Sequence, residues 1–214
     1  MINNIKAAIF DLDGTLIDSM WVWEQIDIDF LSSKNLKVPP KLKDEISHLS
    51  FTDVALYFKS TFNLNDSIED ILNTWNTMAL NHYSNNVKLK PGVEEYLKYL
   101  KNNNVKIGLA SSSNLLLIES VLKANNIYQY FDAITTTDEA KKDKSHPDVY
   151  LLAANKLNVE PKECIVFEDI ITAVKAAKTA NMKVIAIYDK SSKHNKDILS
   201  NIADKYIYDY KELM

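Results

Sequence analysis

The stretch "IFDLDGTLIDS", Ile9 to Ser19, decides how the chain is read. The apolar run KAAIF ends here in a knot of acids. Asp11 and Asp13 stand two residues apart, followed by Gly14, Thr15 and Asp18. A short run with little polar alternation fits a strand buried on both faces. Asp11 falls just past its end.

Working outward, similar runs recur: VKIGLA (Val105 to Ala110), FDAITT (Phe131 to Thr136), CIVF (Cys164 to Phe167), KVIAI (Lys183 to Ile187) and a weaker KYIY. Between them lie stretches with helical spacing, such as GVEEYLKYLKNN and DIITAVKAAKTA. Strands alternating with helices predict an α/β fold with a Rossmann-like parallel sheet. The rhythm fails from about Ile17 to Asn85. Only helical patterns appear there, punctuated by Pro39-Pro40 and NLNDS. The expected organisation is an α/β core of residues 1–16 and 87–214, with an all-helical insert, 17–86, after the first strand.

Composition excludes several classes. A net charge of −4 leaves no electrostatic footprint for nucleic acid or an anionic membrane. No window has the apolar length of a transmembrane helix, and the N-terminus lacks a signal peptide's apolar stretch. The single cysteine, Cys164, reads as a buried structural thiol in a reducing compartment, so the cytoplasm is expected. With three glycines, the dinucleotide fingerprint and the P-loop are both absent.

In a parallel sheet, ligands bind outside the carboxyl ends of the strands. Asp11, Ser111 to Ser113, and Glu168-Asp169 all follow strands, and the loop after FDAITT carries Lys144. Four carboxylates on one rim (Asp11, Asp13, Glu168 and Asp169) repel one another unless a cation balances them. Mg2+ suits such oxygen ligands together with a phosphate oxygen. Lys144 and a serine hydroxyl would complete a clamp around a phosphoryl group. An aspartate in that clamp is a nucleophile, and a second carboxyl can act as acid and then base. Gly14 is expected to let backbone N–H groups approach a phosphate, and Thr15 to hold Asp13 in place. Taken singly, each group has an ordinary reading as a cap, a turn or a helix start. Their joint occurrence at strand ends points to phosphoryl transfer.

On these residues the chain resembles the haloacid dehalogenase superfamily, in the branch of β-phosphoglucomutase and small sugar-phosphate phosphatases. DLDGTL (Asp11 to Leu16) resembles the first motif, ASSSN the second, KSHPD the third and FEDI the fourth. The resemblance implies the fold of that superfamily, with the helical insert as a substrate-selecting cap. It implies Asp11 as nucleophile and Asp13 as general acid/base, the latter also offering its backbone carbonyl to the metal. Ser111 would bond the phosphate and Lys144 would supply the cation. Asp169 would be a direct Mg2+ ligand and Glu168 a direct or water-mediated one. Gly14, Thr15, Ser112 and Asn114 are expected to line the substrate site. His48 and Phe51, in HLSFTD between two helical patterns, are the expected selecting residues of the cap. Ser145 stands where the family commonly has proline. Ile170 replaces the usual serine, and Ala173 and Asn181 stand where glycines are usual.

The expected function is Mg2+-dependent hydrolysis of a small phosphate monoester, a sugar or polyol phosphate, through an aspartyl-phosphate. The protein is expected to be a monomer whose partner is a small phosphorylated metabolite, with no nucleic acid and no membrane. A phosphosugar mutase is the alternative. The mutases of this branch carry an arginine in the cap loop, a histidine after the first motif and a lysine after the second-motif serines. Phe51, Trp23 and Asn114 stand at those places here. A catalytically silent interaction protein on the same fold is a further alternative. A bacterial receiver domain is disfavoured, because it has no helical insert and its acidic pair lies upstream.

Overall fold

The computed structural model describes residues 4–46, 49 and 51–214. In chain order its strands are β1 (Ala7–Phe10), β2 (Ile17–Asp18), β3 (Lys88–Leu89), β4 (Lys106–Ser111), β5 (Ala133–Thr136), β6 (Cys164–Glu168), β7 (Lys183–Ile187) and β8 (Lys205–Ile207). The helices are α1 (Val22–Ser33), α2 (Leu42–Ile46), α3 (Phe51–Thr61), α4 (Ile68–Asn85), α5 (Val93–Asn102), α6 (Leu115–Ala124), α7 (Thr137–Ala140), α8 (Asp148–Lys156), α9 (Ile171–Thr179) and α10 (Lys196–Ile202). Contacts divide the chain into two compact units, one of Met1–Met20 with Val87–Met214 and one of Trp21–Asn86.

The first unit is a parallel sheet in the order β5-β4-β1-β6-β7-β8. From β1 the chain builds outward through β4 and β5, then crosses back to β6 on the other side. That reversal makes the carboxyl end of β1 a topological switch point, where doubly wound sheets bind ligands.

β1 is apolar throughout because both of its faces are covered. Successive side chains point to opposite faces. Ala7 and Ile9 join a core with Val149 and Tyr150 of α8 and Val174 and Ala177 of α9. On the other face Phe10 stacks on Phe167, with centroids 4.4 Å apart and planes 10° apart, beside Tyr96 and Tyr210. Phe10 is fully buried, so its replacement by alanine is worth about 3–5 kcal/mol.

The low glycine content has a structural counterpart. α1, α3, α5, α6, α8 and α9 are each followed by an asparagine with positive φ: Asn35, Asn63, Asn104, Asn126, Asn158 and Asn181. Helices commonly end in a left-handed residue, and asparagine adopts that conformation more readily than other non-glycine residues. Asn181, where the family usually has glycine, takes this role at φ 61°. Ala173 is buried on the face of α9 that packs into the core.

One expectation needs correction. The sequence suggested no strand between Ile17 and Asn85, with the insert starting at residue 17. Instead Ile17 and Asp18 pair antiparallel with Leu89 and Lys88, so residues 17–20 belong to the α/β unit. A two-residue ribbon has too short a pattern to be read from periodicity.

The second unit is helical. α1, α3 and α4 enclose an aromatic core in which Phe30 and Phe58 meet Trp75 at 5.6 and 5.0 Å between centroids, edge to face. Ser67 opens α4 with a reciprocal cap: its side chain accepts from Asp70 N, and Asp70 accepts from Ser67 N. Phe51 was expected between helical patterns; it is the first residue of α3. Its ring meets Trp23 and Trp75 at 5.4 and 5.7 Å, yet remains 40% exposed. His48 lies outside the described residues.

Candidate active site

Ser111 and Glu168 are the last residues of β4 and β6, and Asp11 is the first residue beyond β1. The Asp11 amide donates to Phe167 O at 3.0 Å, which prolongs the ladder and sets the carboxylate on the rim. Lys144 arrives from the loop after β5 and α7. Its ammonium donates to both Asp11 Oδ1 and Glu168 Oε1. All of these residues are buried, whereas Lys141 and Lys142, in the same basic run, are exposed.

Asp11, Glu168 and Asp169 form a buried set whose oxygens lie within 4.8 Å of one another. Burial, reinforced by Glu168, pushes Asp11 up to about 7 against the pull of Lys144. Asp169 is held well above the ordinary carboxylate range, first by burial and then by Asp11 and Glu168. Burial works against the charge on Lys144, but Asp11 and Glu168 outweigh it and hold the ammonium above its usual value. Three desolvated carboxylates thus face one ammonium, a deficit of positive charge in an all-oxygen donor set. That set fits a hard divalent cation.

The oxygens are not equally available. Glu168 Oε1 accepts from Lys144 and from the Tyr150 hydroxyl, the latter at 2.7 Å, while Oε2 accepts from Asp169 N at 3.2 Å. Among the described residues no hydrogen bond reaches Asp11 Oδ2 or Asp169 Oδ2. Asp11 Oδ2 and Asp169 Oδ2 are therefore the oxygens most open to a cation, while Glu168, also within reach of it, holds Lys144 as well.

One expectation about the first loop, that Thr15 holds Asp13, is corrected. The Gly14 amide donates to Ile17 O at 3.0 Å, which closes the turn. At φ 81° a Cβ there would lie 2.6 Å from Asp169 Oδ2, so glycine is needed for the close approach of that carboxylate. Thr15 does not hold Asp13; its hydroxyl donates to Asp169 Oδ1 at 3.2 Å. Asp13 is held by Ser19 Oγ on Oδ1 at 2.6 Å and by Ser113 Oγ on Oδ2 at 2.7 Å. Ser112 is exposed. Asn114 is the N-cap of α6, its Oδ1 accepting from Leu117 N at 3.0 Å.

Sequence reasoning did not single out Ser19, Ser113 or Tyr150 as site residues. Ser19 resembles a helix cap, and Ser113 stands in a run of three serines. Tyr150 carried a weak signal: it lies six residues after Lys144, one turn into a helix leading away from the rim.

Residues 8–187 match the profile of the haloacid dehalogenase-like hydrolases. The chain belongs to that family. It is 31% identical to hexitol phosphatase B of Escherichia coli strain K12 over 185 residues, covering 86% of this chain and 83% of that one. It is equally 31% identical to the beta-phosphoglucomutase of Bacillus subtilis strain 168 over 195 residues, covering 86% and 83%. Among solved structures, the beta-phosphoglucomutase of Clostridium difficile superposes with a TM-score of 0.73 at 25% identity, covering 98% of this chain and 93% of that one. CbbY of Rhodobacter sphaeroides, at 20% identity and covering 98% and 96%, shares the fold with a TM-score of 0.80. Among the described residues no helix is long and apolar enough to cross a membrane.

Proposed function

We propose that this family member is a Mg2+-dependent phosphatase acting on a small phosphate monoester, a sugar or polyol phosphate. The observation that carries this reading is the buried group of Asp11, Glu168 and Asp169 facing Lys144, a site short of positive charge at the switch point of the sheet. The phosphatases among the relatives support it.

In this reading one Asp11 carboxylate oxygen attacks phosphorus while the other would face the cation, forming an aspartyl-phosphate, and the bond from phosphorus to the ester oxygen breaks. Asp13 gives its proton to that oxygen, and the alcohol leaves. Asp13 then takes a proton from water, whose oxygen attacks phosphorus. Inorganic phosphate departs and the Asp11 carboxylate returns. Lys144 balances charge on Asp11, and the Ser111 hydroxyl is the proposed donor to the phosphoryl oxygens. Asp11 and Asp169 side chains and the Asp13 carbonyl would hold Mg2+, which supplies charge neutralisation on the phosphoryl group. Phe51 is the proposed contact of the helical unit with substrate.

A mutase reading has equal support from identity, so it must be weighed on residues. Holding a bisphosphorylated sugar while it reorients calls for a cationic grip on the distal phosphate, best given by arginine's planar fork. All 25 basic residues are lysines, and the chain contains no arginine. The Asn114 carboxamide oxygen is already committed to a cap. These features favour release of the alcohol and hydrolysis. The test is a phosphate-release screen over sugar phosphates, polyol phosphates, nucleotides and phosphoglycolate, with Mg2+ or with chelator. Mg2+-dependent release from a sugar or polyol phosphate supports the reading. Rapid conversion of β-glucose 1-phosphate plus glucose 1,6-bisphosphate to glucose 6-phosphate, with little free phosphate, overturns it.

A further inference from the structure

We propose that Ser113 is a positioning residue for Asp13, coupling the loop after β4 to the acid–base carboxyl; this rests on the acid–base role proposed for Asp13. An acid that must reach a leaving oxygen and then a water needs its carboxyl held in one orientation, and a loop aspartate rotates freely unless both oxygens are engaged. Here one hydroxyl engages each of them. Ser19, six residues further along the chain and just after β2, donates to Oδ1 at 2.6 Å. Ser113, 100 residues away in sequence and on another strand's loop, donates to Oδ2 at 2.7 Å.

Ser113 is itself fixed from both sides. Its amide donates to Ser111 Oγ at 3.0 Å, and the next residue, Asn114, caps α6. The hydroxyl proposed to meet the phosphoryl group and the carboxyl proposed to protonate the leaving group are therefore joined through one residue. Each hydroxyl donates to one carboxylate oxygen and leaves that oxygen a further lone pair, so both bonds can fix the carboxyl without occupying all of its proton-exchanging positions.

The test compares kcat/KM for p-nitrophenyl phosphate and glycerol phosphate in the wild type, Ser113→Ala, Ser113→Thr and Asp13→Asn. The p-nitrophenolate group leaves without protonation, whereas the glycerol oxygen needs the acid. For Ser113→Ala the expected fall with glycerol phosphate is about tenfold or more, the worth of a hydrogen bond to a charged group. With p-nitrophenyl phosphate the expected fall is under about threefold, with KM unchanged for both substrates. Ser113→Thr, which keeps the hydroxyl, should retain the glycerol phosphate rate. Equal losses on both substrates, no loss on either, or failure of Thr to retain the rate overturns the proposal. If Asp13→Asn discriminates between the substrates and Ser113→Ala does not, the Ser113 proposal alone falls. If Asp13→Asn does not discriminate, the acid–base reading falls and this proposal with it.

Discussion

The Tyr150 hydroxyl donates to Glu168 Oε1 at 2.7 Å inside the protein, on the same oxygen that accepts from Lys144. Burial and the adjacent Glu168 push the phenol well above its ordinary value, so it stays a donor. Removing it leaves Glu168 with one fewer partner where water is excluded. Tyr150→Phe should lower unfolding stability by about 1–3 kcal/mol, measured by urea denaturation in chelator. An unchanged midpoint would show that this bond does not contribute to holding the buried group.

Lys144 is the ammonium that faces Asp11, Glu168 and Asp169. Lys144→Met keeps the length of the side chain and removes its charge. In chelator the variant should lose about 3 kcal/mol, the scale of a broken buried pair. Mg2+ should return more stability to the variant than to the wild type, because a cation that binds only the folded state stabilises it. Identical Mg2+ shifts in melting temperature for both proteins would argue against a shared charge deficit.

Gly14→Ala tests the contact with Asp169. The substitution places a Cβ against Asp169 Oδ2 and puts a non-glycine residue at φ 81°. It should cost about 1–3 kcal/mol of stability, and calorimetric titration should show Mg2+ affinity reduced at least about tenfold. Mg2+ binding at wild-type strength would mean that Asp169 is not a ligand.

Lys90 and Asp189 form a buried pair at 2.6 Å beside the return of the chain to the α/β unit. Burial raises Asp189, but Lys90 and Ser191 outweigh it, and its carboxyl lies below the ordinary value of 3.8. A depressed carboxyl contributes stability that is complete above its unfolded value and is lost as pH falls through the folded one. Asp189→Asn should therefore flatten the stability profile below about pH 4. An acid limb as steep as that of the wild type would contradict this.

Phe51→Ala should change relative kcat/KM across the substrate screen more than it changes melting temperature, because its ring is substantially exposed. A lowered melting temperature with an unchanged profile would assign it to packing among Trp23 and Trp75.

Much of the α/β sheet was legible because its strands are buried on both faces and read as unbroken apolar runs, with polar groups at their carboxyl ends. Asp11, Ser111, Glu168 and Asp169 follow from that pattern, and Lys144 follows from the loop beyond β5. The β2–β3 ribbon was not legible, since two residues carry no periodicity. The partner of Asp13 was also misread: Thr15 is near it in sequence, but the turn closed by Gly14 aims Thr15 at Asp169. Tyr150 and Ser113 act across long sequence separations, and only the packing of α8 and of the loop after β4 brings them to the carboxylates.

The central claim is that Asp11 carries the phosphoryl group. The direct measurement is rapid acid quench of the Mg2+-loaded enzyme during turnover, followed by peptide mass spectrometry, with Asp11→Asn alongside. The account predicts a phosphorylated peptide in the wild type with the group on Asp11, and neither that peptide nor phosphate release in the variant. Phosphate release by Asp11→Asn at the wild-type rate would contradict it.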